Sequence, residues 1–282
     1  MSPQAPPVQL RCADKTLDLS SPLVMGVLNV TPDSFSDGGR FLPAAAAIAH
    51  GLRMAQEGAA IIDVGGESTR PGAGAVSAAA ELERILPVIE RLRAASSAVI
   101  SVDTSKPEVM RAAAAAGAGL INDVRALRAP GALAAALESG CAVCLMHMQG
   151  EPRTMQLAPA YQDVVAEVRA FLAARAAACR AAGFGAERLA LDPGFGFGKN
   201  LEHNLALLRG LPGLAADGLP LVVGLSRKSM LGKLTGRGDG ERLAGSVALA
   251  ALAVLNGARI VRAHDVAATL DAVRVAAAVR GS

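Results

Sequence analysis

Eight polar residues of different chemical kinds each close a short apolar run in this chain. Asn29 follows Leu23–Leu28, Asp63 follows Ala60–Ile62, Asp103 follows Val99–Val102 and Asn122 follows Leu120–Ile121. His147 follows Cys141–Met146, Asp192 follows Leu189–Leu191, Ser226 follows Leu219–Leu225 and Arg262 follows Ile260–Val261. A carboxylate at the end of a buried strand costs several kcal/mol unless it is paired, so Asp192 points to ligand recognition. The alternative is that Asp192 caps its own turn, because Asp-Pro-Gly is a turn sequence. Arg262 and His264 bracket Ala263, and residues two apart on an extended segment point the same way; both can reach one anionic group. Lys228 stands out because only five of the 28 basic residues are Lys. A flexible ammonium beside Arg227 offers a point charge where a planar fork is not wanted.

The elements that must position these residues follow from the same runs. An apolar strand buried on both faces, followed each time by a helix-length segment, is the pattern of a parallel sheet of βα units. Eight units close into a (β/α)8 barrel, whose chemistry gathers at the carboxyl ends of its strands. The polar residues then form one ring around one pocket. Helices are predicted at Ala44–Glu57, Ala78–Ala94, Lys106–Ala116, Gly131–Ser139, Tyr161–Ala182, Glu202–Leu208, Arg242–Asn256 and Val266–Val279. Gly58, Gly117, Gly140, Gly183 and Gly257 stand where left-handed helix caps belong. Val8–Leu19 alternates around Ala13-Asp14-Lys15 and reads as a hairpin, an N-terminal extension that plugs the barrel floor. Two loops, Thr31–Pro43 and Gly65–Ser77, are long and rich in Gly and Pro, as mobile lids or substrate clamps are. At 282 residues, the chain suits one barrel domain, residues 1–282.

Composition narrows the partners. The chain carries a net charge of +3 with 2% aromatic residues, and it has no basic stripe with stacking platforms, so a nucleic-acid partner is not expected. A cluster of positive residues in the pocket suits a small anionic substrate. The first twenty residues hold Pro3, Pro6 and Pro7 and no apolar core of a secretory signal. The most apolar stretch, Leu243–Leu255, falls short of the roughly 18–20 residues of a membrane span and reads as a buried or dimer-facing helix. Cys141 and Cys144 form a CxxC, but strand positions three apart face opposite sides. The four cysteines therefore read as reduced core thiols of a cytoplasmic protein, not as a zinc or redox site.

Met25-Gly-Val-Leu-Asn-Val-Thr-Pro-Asp-Ser-Phe-Ser-Asp-Gly-Gly39 and Asp63-Val-Gly-Gly-Glu-Ser-Thr-Arg-Pro-Gly72 resemble the opening signatures of the dihydropteroate synthase family of pterin-binding enzymes. The resemblance runs on through Ser101-Val-Asp-Thr-Ser-Lys106, Ile121-Asn-Asp-Val124 and Met146-His-Met-Gln-Gly150. It closes with Asp192-Pro-Gly-Phe-Gly-Phe-Gly-Lys199, Gly224-Leu-Ser-Arg-Lys-Ser-Met230 and Arg262-Ala-His-Asp-Val266. All eight segments stand in order at the inferred strand ends, so the likeness spans almost the whole chain. It implies a transferase of folate biosynthesis that joins 7,8-dihydropterin-6-ylmethyl diphosphate to 4-aminobenzoate and releases pyrophosphate. Sulfonamides imitate 4-aminobenzoate, so the likeness also implies that they bind.

The pterin ring offers a donor–donor edge that Asp192 can accept in two-pronged fashion, with Asn122 suited to neighbouring ring atoms. By the same resemblance Lys228 lies against the pterin, Met146 contacts substrate, and Arg262 and His264 hold the diphosphate. Asn29 is the expected ligand of a Mg²⁺ ion, which keeps waters and phosphate oxygens as its other partners. Ser226 and Arg227, at an apparent helix start, are expected to receive the aminobenzoate carboxylate. Thr69, Arg70, Pro71 and Phe197 are expected to wall its ring, with Phe35 expected to cover it. Asp103 is expected to stabilise a pterin-methylene cation. A homodimer through barrel helices is implied, with Leu243–Leu255 a candidate face.

Three other readings compete. A pterin-binding methyltransferase has no use for a diphosphate site, and a silent pterin-binding paralogue has no need of Asn29, Asp103, Arg262 and His264 together. A Schiff-base aldolase would use Lys228 or Lys106. GxGxxG and GxxxxGK[ST] patterns are absent, so no NAD, ATP or GTP site is expected.

Overall fold

The alternation of the apolar runs builds the molecule. The computed structural model describes residues 9–31, 42–68, 74, 76–151 and 154–281. Eight parallel strands form one sheet: β3 (Leu23–Asn29), β4 (Ile61–Gly65), β5 (Val99–Asp103), β6 (Leu120–Asp123), β7 (Ala142–Met146), β8 (Leu189–Asp192), β9 (Val222–Gly224) and β10 (Ile260–Ala263). Their order is β8-β7-β6-β5-β4-β3-β10-β9. The two ends meet where Leu191 bridges Leu221 and the Leu191 N–H donates to Pro220 O at 2.9 Å. The result is the expected (β/α)8 barrel, wrapped among the described residues by α1 (Leu42–Gln56), α2 (Ala78–Ala95), α3 (Pro107–Ala115), α4 (Ala132–Glu138), α5 (Val164–Ala181), α6 (Leu201–Ala215), α7 (Ser229–Thr235), α8 (Leu243–Leu255) and α9 (Val266–Arg280).

Side-chain alternation sorts each strand into two cores. Outward residues such as Leu28, Ile62, Val102, Val143 and Leu191 pack under the helices. Inward residues Met25, Ile61, Val99, Leu120, Ala142, Ala190, Val222 and Ile260 fill the barrel floor together with Leu10, Cys12 and Leu19. The last three come from the hairpin β1 (Gln9–Cys12) and β2 (Lys15–Asp18) and the residue after it. The hairpin is therefore the predicted plug; Val8 lies outside the described residues. Lys15 Nζ ties it to the carbonyls of Ser97 and Ala98 at 2.9 Å each. Gly119 lies so close that a Cβ there would stand 2.8 Å from Cys12 O. Leu10 is fully buried, and Leu10→Ala is expected to cost about 2–5 kcal/mol of stability, read from denaturant unfolding. A cost under about 1 kcal/mol would mean that the hairpin is dispensable to the barrel.

Two helices differ from expectation. The α6 helix runs past Leu208 through Pro212, where a stop was expected. Proline removes the N–H that would bond the carbonyl four residues back, and that carbonyl, Leu208 O, accepts from Asn256 Nδ2 at 3.0 Å instead. Burial of Leu211 and Leu214 then holds the extra turn. The α7 helix was not foreseen: it has seven residues, with Gly232 inside it, and only Met230 and Leu231 anchor it. The five glycines assigned to helix ends all have positive φ. Cys141 packs in the outer core and Cys144 in the barrel interior, so the CxxC is split across the sheet as expected. All four cysteines are free and buried. Among the described residues no helix is long and apolar enough to cross a membrane.

Candidate active site

Two residues further along each inward face, the barrel filling turns from apolar to polar. Ile61 gives way to Asp63, Val99 to Ser101 and then Asp103, Leu120 to Asn122, Ala190 to Asp192, and Ile260 to Arg262. Register brings them level: Gly65 pairs with Asp103, Asp103 with Asn122, and Met146 with Asp192. These strand ends converge as the alternation requires, but His147, one place beyond inward Met146, leaves the expected ring and packs its imidazole against Phe171 at 4.9 Å between centroids.

At the centre stands Asp63, with no solvent exposure. Ser101 Oγ donates to its Oδ1 at 2.6 Å, and Asn122 Nδ2 donates to Oδ2 at 3.0 Å. Arg262 Nε donates to Oδ2 at 2.7 Å, and its terminal nitrogen donates to Asp103 Oδ2 at 3.0 Å. One guanidinium therefore bridges two acids from β4 and β5. Burial, then Asp63, pushes the Asp103 carboxyl up to about 7 although Arg262 opposes the rise. For Arg262, burial works against the charge, but Asp63 and Asp103 outweigh it and hold the guanidinium charged. Gly224 on β9 pairs with Arg262 on β10.

Asp192 is 6% exposed, and Gly194 N donates to its Oδ1 at 2.7 Å. The turn-capping role is therefore present. Burial raises its carboxyl, with the Gly194 N–H and Lys228 working the other way. Lys228 Nζ stands 4.2 Å over the Phe197 ring, a cation–π contact. Burial, with Arg262 adding to it, brings this ammonium down to about 8. Phe197 also packs against Val124, Met146, Met148 and Met155. A flat apolar wall therefore borders the acids, as a ring-shaped ligand needs.

His264 meets Ser226 twice: its backbone N–H donates to Ser226 Oγ at 3.2 Å, and Nδ1 lies 3.1 Å from the same oxygen. Burial, then Arg262 and Arg227, lowers the imidazole to about 4, so it offers a neutral N–H and not a second cation. Arg227 departs from expectation. It is paired through both guanidinium arms with Asp265, it carries φ +56°, and its N–H donates to Ser246 Oγ at 3.0 Å. Helix α7 starts at Ser229 with Lys228 as its N-cap residue, so Ser226 and Arg227 precede it. Lys106, an aldolase candidate, is engaged by Glu67 and by fully buried Glu81. Burial lowers its charge, but these hydrogen bonds outweigh it and raise the ammonium, the opposite of a Schiff-base amine. Phe35, Thr69, Arg70 and Pro71 lie outside the described residues, as does much of both long loops.

A model of the pterin binding enzyme family matches residues 25–264. The dihydropteroate synthase of Escherichia coli K12 is 56% identical over 260 residues, 92% of each chain. That of Xanthomonas albilineans, solved with 4-aminobenzoic acid, gives a TM-score of 0.92 at 55% identity over 98% of this chain and 99% of that one. The same organism's enzyme is also known in complex with 7,8-dihydropteroate, with a TM-score of 0.89 at 53% identity, covering 97% and 99%. The Yersinia pestis enzyme, solved with a sulfonamide drug, gives 0.92 at 51% identity, covering 97% and 100%.

The chain belongs to the dihydropteroate synthase family of pterin-binding enzymes. It is a transferase of folate biosynthesis.

For a dihydropteroate synthase, this barrel mouth holds two residues whose roles sequence reasoning missed. Asp63 ends an apolar run in the sequence but stands mid-strand in β4, where it gathers Arg262, Asn122 and Ser101. Lys199, at the end of the Gly-Phe-Gly-Phe-Gly turn, is 2% exposed. Asn29 Oδ1 and the Asp103 carboxylate face each other across Gly65; a Cβ there would lie 3.7 Å from the first and 3.6 Å from Asp103 Cβ. The missing side chain leaves a small cradle with an amide oxygen on one side and a carboxylate on the other. Such hard oxygen donors, few in number, fit a Mg²⁺ ion that also binds substrate phosphate.

Proposed function

We propose that this synthase joins 7,8-dihydropterin-6-ylmethyl diphosphate to 4-aminobenzoate and releases pyrophosphate, with the C–O bond breaking before the C–N bond forms. The observation that carries the reading is the bridge of Arg262 between Asp63 and Asp103, set beside Asp192 and the Lys228–Phe197 pair. It puts negative charge at the barrel mouth next to a cation, as a reaction that separates charge requires. The complexes of the Xanthomonas enzyme with 4-aminobenzoic acid and with 7,8-dihydropteroate support the two substrates' chemical classes.

Asp192 accepts hydrogen bonds from the pterin's donor edge, and Asn122 and Met146 border the ring. Lys228 donates to its oxo edge. Arg262 and the neutral His264 imidazole donate to the diphosphate. As the C–O electrons leave with the diphosphate, the methylene cation forms against the Asp103 carboxylate, which stabilises it electrostatically. The arylamine nitrogen then supplies the new C–N pair and loses its proton to solvent, so no strong base is needed. Thr69, Arg70, Ser226 and Phe197 receive the aminobenzoate. Asn29 would hold the Mg²⁺ ion, which supplies charge neutralisation on the diphosphate when bound. The enzyme works as one domain in the cytoplasm, with its cysteines reduced. It pairs as a homodimer through α8 and α9, where Leu243, Leu252, Leu255, Val275 and Val279 are exposed.

Pyrophosphate release from the pterin diphosphate, with and without 4-aminobenzoate and Mg²⁺, tests the reaction. Sustained release over many turnovers is expected only when both are present. Release at an equal rate without the arylamine would make the chain a pterin diphosphate hydrolase.

A further inference from the structure

Lys199 sits just before α6 with 2% of its surface exposed, and no step above uses it. A buried ammonium costs several kcal/mol unless its donors are satisfied. Among the described residues no carboxylate is in hydrogen-bond contact with it. Its Nζ lies 2.9 Å from Gly194 O, 3.0 Å from Phe197 O and 2.9 Å from His147 Nδ1, with His147 O a longer contact at 3.4 Å. Three near partners match the three N–H donors of an ammonium. The His147 ring can accept because burial, then Lys199 itself, lowers it to about 3 and leaves it neutral.

Those partners belong to two segments that would otherwise only touch. The 193–198 loop is pressed onto the end of β7. A Cβ at Gly194 would fall 1.9 Å from His147 O, and one at Gly198 would fall 2.4 Å from Gln149 O. Gly194 N holds the Asp192 carboxylate, and the Phe197 ring lies beneath Lys228. The two loop carbonyls that Lys199 grips are therefore those of the residues that fix the acid and the ring.

We propose that Lys199 is a positioning residue for the pterin site: it locks the 193–198 loop to His147 and so sets where the Asp192 carboxylate and the Phe197 ring stand. The inference rests on reading Asp192, Phe197 and Lys228 as the pterin pocket. The titratable groups around Lys199 are the neutral His147 just after β7, Asp192 from β8 and Lys228 ahead of α7. Burial brings the Lys199 ammonium down to about 7, against Asp192 and with Lys228. An amine has one N–H fewer, so one grip is released as the pH rises through that value.

The test is the Kd of 7,8-dihydropterin-6-ylmethyl diphosphate between about pH 6 and pH 9, with melting temperature as the folding control. Lys199→Met is expected to bind about tenfold more weakly at the acid end and to lack the wild-type weakening near neutrality. Lys199→Arg, which keeps its charge at every pH in this range, is expected to bind without that weakening. His147→Leu removes one partner only; it is expected to weaken binding about threefold and to add nothing to Lys199→Met. Binding by Lys199→Met within about twofold of wild type, or wild-type and variant profiles of the same shape, would overturn the proposal. If Lys199→Met does not fold, an unchanged Kd in His147→Leu would overturn it. A wild-type enzyme that fails to bind the pterin diphosphate would instead sink the pterin reading itself.

Discussion

Arg262→Met is expected to lower the stability of this barrel by about 3–5 kcal/mol, because removing one partner of a buried ion pair leaves the other charge uncompensated. Here two charges are stranded. Asp63 has no exposure and would keep only Ser101 and Asn122, while Asp103, in the same network, would lose its guanidinium contact. Urea unfolding measures the loss. Turnover should fall by about 10²–10³-fold in whatever fraction remains folded, the scale of losing one donor to developing negative charge. Arg262→Lys should keep much of the charge but not the fork that spans two carboxylates, so it should fall between wild type and Met in both measurements. A stable, active Arg262→Met enzyme would mean that the bridge is decorative.

Asp103→Asn is expected to cut turnover by about 10²-fold or more while changing the Kd of the pterin diphosphate by less than about threefold. The asymmetry follows from what the carboxylate does: it meets a full positive charge only after the C–O bond has begun to break. Equal losses in affinity and turnover would count against this role. The pH dependence has a definite sign. Burial, then Asp63, raises the Asp103 carboxyl to about 7, and the active form is the ionised one. Wild-type turnover should therefore rise as pH increases through about 7, and that limb should vanish in Asp103→Asn.

Much of this site could be read from residue order because a strand has a period of two. A polar residue that ends an inward-facing apolar row must enter the barrel mouth, which is why Asp103, Asn122, Asp192 and Arg262 meet. The same rule places Asp63 on the inward row, though in mid-strand, and gives it no role. What distinguishes it is a guanidinium arriving from β10, almost two hundred residues later in the chain. Lys199 was within reach: the scarcity of lysine that singled out Lys228 applies equally to it. Its sequence neighbours, alternating Gly and Phe, gave no sign that three backbone and ring acceptors would surround it. Arg227 illustrates the reverse case. Its position beside Ser226 points to an anion receptor, but Asp265, one residue after His264, takes its guanidinium. Helix α6 outran its expected end because Asn256, on another element, satisfies the carbonyl that Pro212 abandons. In each case the missing information is a partner distant in the chain.

In the proposed reaction the methylene becomes positively charged before it meets the arylamine. The secondary kinetic isotope effect on kcat/KM for pterin diphosphate deuterated at that methylene measures this directly. A clearly normal effect is expected, with the carbon flattening as the diphosphate leaves. An effect at unity, with chemistry shown to be rate-limiting by single-turnover kinetics, would contradict the account and place bond making and bond breaking in one concerted step.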